Sequence, residues 1–388
     1  MNSENAPQHR LIIAGAGVAG LEALAALSAV APDRVDTTVL APDAEFKIQA
    51  TTVEEPFARP RASTYSVPQI CADHGATHLR DGLAAVDTSQ KRVTTASGSD
   101  LQYDSLLVAV GATREPVYGS QAIVFRGDQD AEAMHGLIQD VEGGYAKRIA
   151  FIVPSGVTWP LPLYELAMMT AHRAREMGQD DVSIVFITPE ELPLAAFGQT
   201  ASAAVRRALD VAGVELKTAS YVDRLSGGKA HVSPGGEIIE VARVVTVPRL
   251  GGPALRGLPS DDHGFIPVDE HARVRDVDGV YAAGDGTTFP VKQGGMAAQQ
   301  ADAAALAIAR AAGAPVEAEP FDPVLRAKLL TGARTEYLRE AIGPEGGEET
   351  SVASRNALWW PPSKVAAPYL TGYLGRLGKR PQDARESG

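Results

Sequence analysis

The segment Gly15-Ala16-Gly17-Val18-Ala19-Gly20 follows an apolar run, residues 11–14, and opens an Ala/Leu-rich stretch over residues 21–30. This order predicts a strand, a glycine-rich turn and a helix, the context in which GxGxxG spacing indicates a dinucleotide-binding fold. The first two glycines allow a tight turn beside a pyrophosphate, which then faces the helix N-terminus, and the third allows close helix–strand packing. The residues expected to bind a nucleotide cofactor are Gly15, Gly17, Val18, Ala19 and Gly20.

A second motif, Tyr281-Ala282-Ala283-Gly284-Asp285, precedes a long alanine-rich stretch. It resembles the second flavin fingerprint of the flavoproteins with two dinucleotide-binding domains. The resemblance implies FAD as the cofactor, with Gly284 beside it and Asp285 holding its ribityl chain. It also implies an α/β fold: two Rossmann-like FAD/NAD(P)-binding domains of three layers (ββα), the second inserted in the first, plus a small C-terminal region.

The predicted domain limits follow from the order of these motifs. The FAD-binding domain is expected at residues 1–115 and 249–320, an NAD(P)-binding-like domain at 116–248, and a C-terminal cap or interface region at 321–388. A chain of 388 residues has room for these domains, and 45% apolar residues are sufficient for their cores.

Charge and cysteine content limit the function. The formal net charge of −12 argues against nucleic acid or an anionic membrane as the main partner. The single cysteine, Cys71, excludes an internal disulfide, and we expect it to be a small buried residue. The histidines lack the spacing of a metal site, so no metal is expected. The polar N-terminus and the lack of a long apolar segment predict a cytoplasmic protein.

One position departs from the dinucleotide-binding pattern. An acidic residue usually ends the second strand and binds the ribose hydroxyls of the adenosine. Residues 37–40 predict that strand, but Ala41 follows it. Asp43, two residues further on, is the candidate substitute.

Residues 45–57 resemble the stretch that passes beside the isoalloxazine ring in type II NADH dehydrogenases and sulfide:quinone reductases. The resemblance makes Lys47, Gln49 and Thr51 candidates for ring contact, and the first two candidates for catalysis. A polar surface loop is the alternative interpretation.

The apolar run 103–110 ends in Gly111-Ala112-Thr113. This resembles a third marker of the same flavoproteins, a strand that ends beside the cofactor and leads into the second domain. Ala112 and Thr113 are therefore expected at the cofactor, with a buried strand and an ordinary turn as the alternative.

The nicotinamide half of the chain is altered. Residues 148–153 predict a strand and residues 163–177 a helix, but the turn at 154–162 contains three prolines and Trp159. Prolines lack the N–H groups that bind a pyrophosphate, so no working phosphate loop is expected. Glu190 and Glu191 are candidate ribose ligands, although solvated charges at a helix start are favoured.

Residues 159–169 are also similar to the Pro-x-Pro-x-Tyr-Glu segment of sulfide:quinone reductases and flavocytochrome c sulfide dehydrogenase flavoproteins. Those enzymes oxidise sulfide with a pair of cysteines, because polysulfide chemistry needs a disulfide and a thiolate. Cys71 alone cannot form that disulfide. The resemblance therefore implies the fold without the cysteine mechanism.

Residues 289–301 resemble the family's segment in which a helix N-terminus points at the pyrimidine edge of the flavin. A helix dipole there stabilises the negative charge that develops on reduction. Gly294, Gly295 and Met296 are the expected contacts, since amides that meet a ring need small side chains. Lys292 is a further cofactor contact and catalytic candidate, with a solvated lysine as the alternative.

The C-terminal part is rich in aromatic and basic residues. Residues 321–330 predict a strand-turn-strand unit, which in the family lies over the flavin. Residues 356–380 are expected to seal a domain or dimer interface, with peripheral membrane contact as the less favoured alternative. Residues after 381 are polar and are expected to be disordered.

Three functions remain. The leading one is an FAD-dependent oxidoreductase, similar to sulfide:quinone reductase, that passes electrons through the flavin without the cysteine mechanism. The alternatives are a type II NADH:quinone reductase-like enzyme and a non-catalytic partner protein, with or without flavin. The expected partners are a small-molecule or protein electron donor or acceptor and a second copy of the chain. The sequence does not identify the donor or the acceptor.

Overall fold

The computed structural model describes residues 8–57, 62–343 and 350–377. Within these ranges the α-helices are α1 (Val18–Val30), α2 (Val67–Asp73), α3 (Ala131–Glu142), α4 (Leu161–Glu176), α5 (Gly198–Val211), α6 (Gly294–Ala311) and α7 (Pro368–Leu377). The 3-10 helices are Gln49–Phe57, Gly119–Gln121, Asp128–Asp130 and Ala195–Phe197. The prediction for residues after 381 lies outside the described residues.

The strands of the described ranges are β1 (His9–Ala14), β2 (Val35–Leu40), β3 (Glu45–Lys47), β4 (Thr64–Ser66), β5 (Thr77–Leu79), β6 (Leu83–Asp87), β7 (Arg92–Thr95), β8 (Asp100–Gln102), β9 (Ser105–Val108), β10 (Thr113–Glu115), β11 (Ile123–Val124), β12 (Arg148–Ile152), β13 (Ser183–Ile187), β14 (Val214–Lys217), β15 (Tyr221–Ser226), β16 (Lys229–Ser233), β17 (Glu237–Glu240), β18 (Arg243–Thr246), β19 (Arg249–Gly251), β20 (Val280–Ala282), β21 (Val324–Leu330), β22 (Thr335–Ala341) and β23 (Val352–Ser354).

The first domain is built on a parallel sheet with the strand order β20-β9-β1-β2-β5. Successive residues of a strand point to opposite faces. Leu11 and Ile13 of β1 therefore pack on the side of α1 and α6, whereas Ile12 and Ala14 pack on the side of the antiparallel sheet β6-β7-β8. The result is the predicted three-layer ββα arrangement. Because the sheet is parallel, the turns that follow β1, β2, β9 and β20 meet at one edge.

The second domain repeats the same plan. Its parallel sheet has the order β11-β18-β12-β13-β14. Phe151 of β12 packs among the helices α3, α4 and α5, and Ile152 packs on the opposite face against the sheet β15-β16-β17. The predicted fold class, with two Rossmann-like cores, is confirmed.

The chain passes between the two sheets in a two-stranded ribbon. Strand β10 leaves the first domain and pairs antiparallel with β19, which returns to it, so that Thr113 lies opposite Gly251 and Glu115 opposite Arg249. The ribbon places the two ends of the inserted segment side by side. The domain limits at residues 115 and 249 stay predictions.

The C-terminal region contacts both domains. The predicted strand-turn-strand unit within residues 321–330 is wrong. Residues 321–323 are irregular, Val324–Leu330 form one continuous strand, and the turn follows it at Gly332, whose φ of +82° suits a turn, so that β21 pairs with β22 in a hairpin. The hairpin packs on α4 and α6, and β23 on α5, whereas α7 lies on α1 with Leu370, Tyr373 and Leu374 buried. Within this chain, α7 therefore seals the first domain. In the parts that the structure describes, no helix combines the length and apolar character needed to cross a membrane.

Candidate functional site

A cavity of about 640 Å³ lies at the carboxyl edge of the first sheet. Its size is within the range usual for cofactor sites. The turns after β1, β2, β9 and β20 form its walls, as the parallel topology requires. The predicted site residues on these walls are Gly15, Gly17, Val18, Ala19, Ala41, Asp43, Lys47, Gln49, Gly284, Asp285 and Gly294.

The three glycines of the first motif have different surroundings. Gly15 has a φ of +113°, and a Cβ atom there would lie 2.2 Å from the carbonyl oxygen of Ala109. A Cβ on Gly17 would meet no heavy atom within 4 Å, because this residue faces the cavity. A Cβ on Gly20 would lie 1.9 Å from the carbonyl oxygen of Gly15. Gly20 therefore supports the turn from beneath and does not line the cavity.

The cavity wall at the end of β2 contains Ala41, where the dinucleotide-binding pattern has an acidic residue. Ala41 is buried, and its carbonyl accepts a hydrogen bond from Nε2 of His78 at 3.0 Å. Asp43 is exposed at the cavity rim. Within the described residues, its carboxylate makes no hydrogen bond or ion pair, which leaves it available to a ligand.

Asp285 is held by the turn after β20. The N–H of Gly284 donates to Oε1 of Gln300 at 2.8 Å, which fixes the turn against α6. The Asp285 carboxylate lines the cavity without a hydrogen bond or ion pair to any described residue. Burial raises its pKa, while the charges of Lys292 and Arg114 oppose that shift. A half-buried carboxylate without a protein donor, facing a cavity, suits a ligand with hydroxyl groups.

The start of α6 lies between two cavities. Oε1 of Gln293 accepts a hydrogen bond from the N–H of Met296 at 2.9 Å and so caps the helix. Gly294 lines both cavities. Gly295 and Met296 are buried and face neither cavity.

Lys292 lies under this helix start and is buried. Its Nζ donates to the carbonyl of Thr287 and stands 3.9 Å from the ring centroid of Phe265. Burial lowers its pKa to about 8, while Asp285 and Asp261 act in the opposite direction. The solvated-lysine alternative is therefore wrong. Lys292 lines the smaller of the two cavities.

Lys47 and Gln49 border the larger cavity, as predicted. Nζ of Lys47 forms an ion pair with Asp128 of the second domain at 2.9 Å, and this contact raises the pKa of Lys47. Gln49 lies against Gly127, where a Cβ would be 2.3 Å from Oε1 of Gln49. Thr51 faces neither cavity, since its hydroxyl donates to the carbonyl of Ile48 at 2.7 Å and closes a turn.

At the third predicted marker, the residues on either side of Ala112 and Thr113 line the cavity, and these two residues do not. Ala112 and Thr113 do not line either cavity, and the hydroxyl of Thr113 donates to the carbonyl of Gly251 at 3.0 Å within the ribbon. The flanking residues Gly111 and Arg114 line the larger cavity, and Arg114 also lines the smaller one. Arg114 was missed, although its position directly after the marker was a usable signal.

A smaller cavity of about 210 Å³ adjoins the first. The two share a boundary formed by Gln49, Ala50, Arg114, Gly294 and Val365. Its other walls come from the turn before α4, the end of β18 and the C-terminal hairpin. Both domains and the C-terminal region therefore meet at this cavity.

The turn of the second domain, between β12 and α4, contains Trp159 and two prolines. Trp159 packs on Phe197 with ring centroids 5.9 Å apart, and α4 begins immediately afterwards with Pro162 in its first turn. Oη of Tyr164 donates to the Glu190 carboxylate at 2.7 Å, and Thr188 donates to the same group at 2.9 Å. Burial raises the pKa of Glu190. The solvated interpretation of Glu190 is wrong, because the carboxylate is engaged inside the protein.

A buried ion pair closes one side of the smaller cavity. Nζ of Lys364 contacts Oε1 of Glu165, which also accepts the N–H of Leu330 at 2.8 Å. The side chains of the pair are 8% and 1% exposed, respectively. Neither residue was singled out as a functional residue from the sequence, because their separation along the chain hides the contact.

Cys71 is fully buried, as predicted. Burial raises the pKa of its thiol to about 11, so the reactive thiolate is not populated at neutral pH. Among the described residues, no three His, Cys, Asp or Glu side chains come together in a way that could hold a metal ion.

Several known proteins resemble this chain in sequence or in structure. The NADH dehydrogenase-like protein Rv1812c of Mycobacterium tuberculosis is 27% identical over 293 residues, which cover 71% of this chain and 72% of that protein. The sulfide:quinone oxidoreductase of Aquifex aeolicus superposes with a TM-score of 0.79 at 17% identity, covering 89% of this chain and 86% of that one. A ferredoxin reductase from Rhodopseudomonas palustris superposes with a TM-score of 0.65 at 16% identity, covering 86% and 83%. At such identities the two solved structures show the fold alone.

The sequence profile of the pyridine nucleotide-disulphide oxidoreductase family matches residues 9–305. This match includes both glycine motifs and the whole second sheet. The chain therefore belongs to the pyridine nucleotide-disulphide oxidoreductase family, and it is an FAD-dependent oxidoreductase.

Proposed function

We propose that FAD occupies the larger cavity and that the protein passes electrons through it between partners other than NAD(P)H. The observation that carries this proposal is the Asp285 carboxylate, which faces a glycine-lined cavity without a donor among the described residues. Ribityl hydroxyl groups are donors of the required kind. Gly15 allows the tight turn after β1, and Gly17 faces the cavity without a side chain. A pyrophosphate can therefore approach the N-terminus of α1.

Bound FAD would supply the two-electron redox chemistry, and the protein would orient it and set its electrostatics. Gly294 brings the N-terminus of α6 to the boundary of the two cavities, where the helix dipole favours negative charge. Lys292 lies beside this point and is protonated below about pH 8. Asp43 takes the place of the ribose carboxylate that Ala41 lacks, and Lys47 and Gln49 border the ring end.

Two structural features disfavour NAD(P)H as the donor. The turn where a phosphate loop would lie contains Trp159 and prolines, which offer no N–H groups, and Tyr164 donates to the Glu190 carboxylate, the candidate ribose ligand. The cysteine mechanism of sulfide oxidation is disfavoured by composition, since Cys71 is the single cysteine and is buried. We therefore propose a small molecule or a redox protein as donor and acceptor.

The remaining sequence-based expectations complete the proposal. We propose the domain limits 1–115 with 249–320, 116–248 and 321–388. We also propose a cytoplasmic homodimer that binds neither nucleic acid nor, as its main activity, a membrane.

An anaerobic spectrum of the purified protein tests the proposal. We expect a yellow protein whose flavin is not bleached rapidly by NADH or NADPH. Sulfide, thiols and reduced ferredoxin form the rest of the donor panel. Protein that stays colourless after incubation with FAD contradicts the proposal that FAD occupies the larger cavity.

The second candidate is a type II NADH:quinone reductase-like enzyme. The resemblance to an NADH dehydrogenase-like protein at 27% identity favours it. Rapid bleaching by NADH in the same experiment, with reoxidation by a quinone, would establish it and overturn our interpretation of the second domain.

A further inference from the structure

The smaller cavity differs in charge from the protein as a whole. The chain carries a formal net charge of −12. The cavity nevertheless has a cationic lining, with one carboxylate among its residues, that of Glu165. The basic lining residues are Arg114, Arg126, Lys292, Lys328 and Lys364.

Two of these cations are neutralised by partners. Arg126 forms a 2.6 Å ion pair with Asp130, and Lys364 is paired with Glu165. The other three, Arg114, Lys292 and Lys328, make no ion pair with any described residue. Three carboxylates outside the lining act on these cations through space: Asp285 on Arg114 and Lys292, Asp261 on Lys292, and Glu54 on Lys364. Among the lining side chains themselves, the three unpaired cations face no unpaired carboxylate. The lining therefore carries an excess of positive charge, whose effect its low-dielectric walls strengthen.

Most of the remaining wall is apolar, and its neutral polar side chains are those of Gln49, Thr158 and Gln293. Its largest apolar side chains are those of Phe125, Trp159, Leu161 and Leu250. The volume of about 210 Å³ is below the range for drug-sized ligands. A dinucleotide does not fit such a space, whereas a molecule the size of a substituted benzene ring does.

We infer that the smaller cavity binds a small organic monoanion with an apolar body, a carboxylate such as a benzoate. The shared boundary at Gly294 and Gln49 places such a molecule against the ring end of the larger cavity. The position beside a flavin ring rests on the proposed function, but the binding itself does not.

Three probes of similar shape and different charge test the inference: benzoate, benzamide and benzylamine. The full chain, with FAD added, is titrated with each probe, and binding is followed by the flavin absorption spectrum and by tryptophan fluorescence. We expect benzoate to bind at least about tenfold more tightly than benzamide, since a contact with a charged group contributes that much affinity. Benzylamine should bind most weakly.

Lys328 offers a variant that separates charge from packing. Lys328→Met should weaken benzoate binding about tenfold and leave benzamide binding unchanged, whereas Lys328→Arg should retain benzoate. Lys229→Met is the matched control, because Lys229 is an exposed lysine on β16, away from both cavities.

The inference is overturned if benzamide binds as tightly as benzoate, if no probe binds, or if the Met and Arg variants of Lys328 lose benzoate equally. Failure of the proposed function looks different. A protein that takes up no flavin, yet binds benzoate in preference to benzamide by tryptophan fluorescence, contradicts the FAD proposal and leaves the anion site standing.

Discussion

At the scale of single residues, the glycines of the first motif are constrained by different neighbours. Gly20 lies on the backbone of Gly15, with no space for a Cβ, while Gly17 faces an open cavity. Gly17 also has a φ of −80°, which any residue adopts. The same motif therefore contains one position set by folding and one set by the ligand.

The variants Gly20→Ala and Gly17→Ala separate these two constraints. Gly20→Ala should lower the free energy of unfolding of the flavin-free protein by about 2 kcal/mol or more, because the new methyl group collides with backbone. Gly17→Ala should leave that stability within about 0.5 kcal/mol but weaken FAD binding. Urea unfolding and FAD titration measure the two effects. Equal stability losses in both variants would contradict the assignment of Gly17 to the cavity.

At the scale of elements, a buried carboxyl pair joins three helices. Glu22 of α1 is fully buried and hydrogen-bonded to Asp302 of α6. Its two oxygens accept the N–H groups of Tyr369 and Leu370 at 3.0 and 2.6 Å, which caps the start of α7. Burial raises the pKa of both carboxyls, and the neighbouring charge adds to the shift at Asp302. Tyr369 is the other titratable group facing the pair.

This pair predicts a pH dependence of stability. Both carboxyls bind protons more tightly in the folded state, so the stabilisation is complete near pH 4 and is lost as pH rises through the raised pKa values. Asp302→Asn keeps a donor for Glu22 and removes one ionisation. Relative to the parent, the variant should gain about 1 kcal/mol or more in the free energy of unfolding between pH 4 and pH 9.

Urea unfolding at several pH values measures this difference. Asp210→Asn, at an exposed position on α5, is the control and should show no such trend. A stability difference for Asp302→Asn that does not change with pH would show that the pair is not ionising.

At the scale of the whole molecule, the smaller cavity is assembled from distant parts of the chain. The ion pair between Glu165 and Lys364 spans 199 residues and ties the C-terminal segment to α4. The ion pair between Lys47 and Asp128 joins the two dinucleotide-binding domains beside the larger cavity. Contacts of this kind decide how the domains face each other, and so shape both cavities.

Removing one partner of the buried pair should be costly. Lys364→Met leaves the Glu165 charge buried and uncompensated, so the free energy of unfolding should fall by about 3–5 kcal/mol. The double variant Glu165→Gln/Lys364→Met removes both charges and should recover most of that loss. Thermal and urea unfolding of the parent, single and double variants measure the coupling. Additive losses would contradict a direct interaction.

Much of the fold could be predicted because its signals are local. The strand–glycine–helix order around Gly15 and the Ala-Gly-Asp turn at Asp285 each lie within a few residues, and both led to the cavity. Helix starts were less accurate: α1 begins at Val18 and α4 at Leu161, each a few residues earlier than predicted. Helix α4 can begin before Pro162, because the N–H groups of a first helical turn have no partner within the helix. Proline at that position therefore removes no hydrogen bond.

The sequence by itself determined the architecture and the cofactor class, because short motifs with strict backbone requirements encode them. Only the tertiary structure decided which side chains line the smaller cavity. Arg114, Lys328 and Lys364 line one cavity from three separate segments. Tyr164 donates a hydrogen bond to the Glu190 carboxylate, and Glu22 of α1 lies beside Asp302 of α6. The physical reason is that burial and electrostatic partners depend on which segments fold together, and spacing along the chain does not record this.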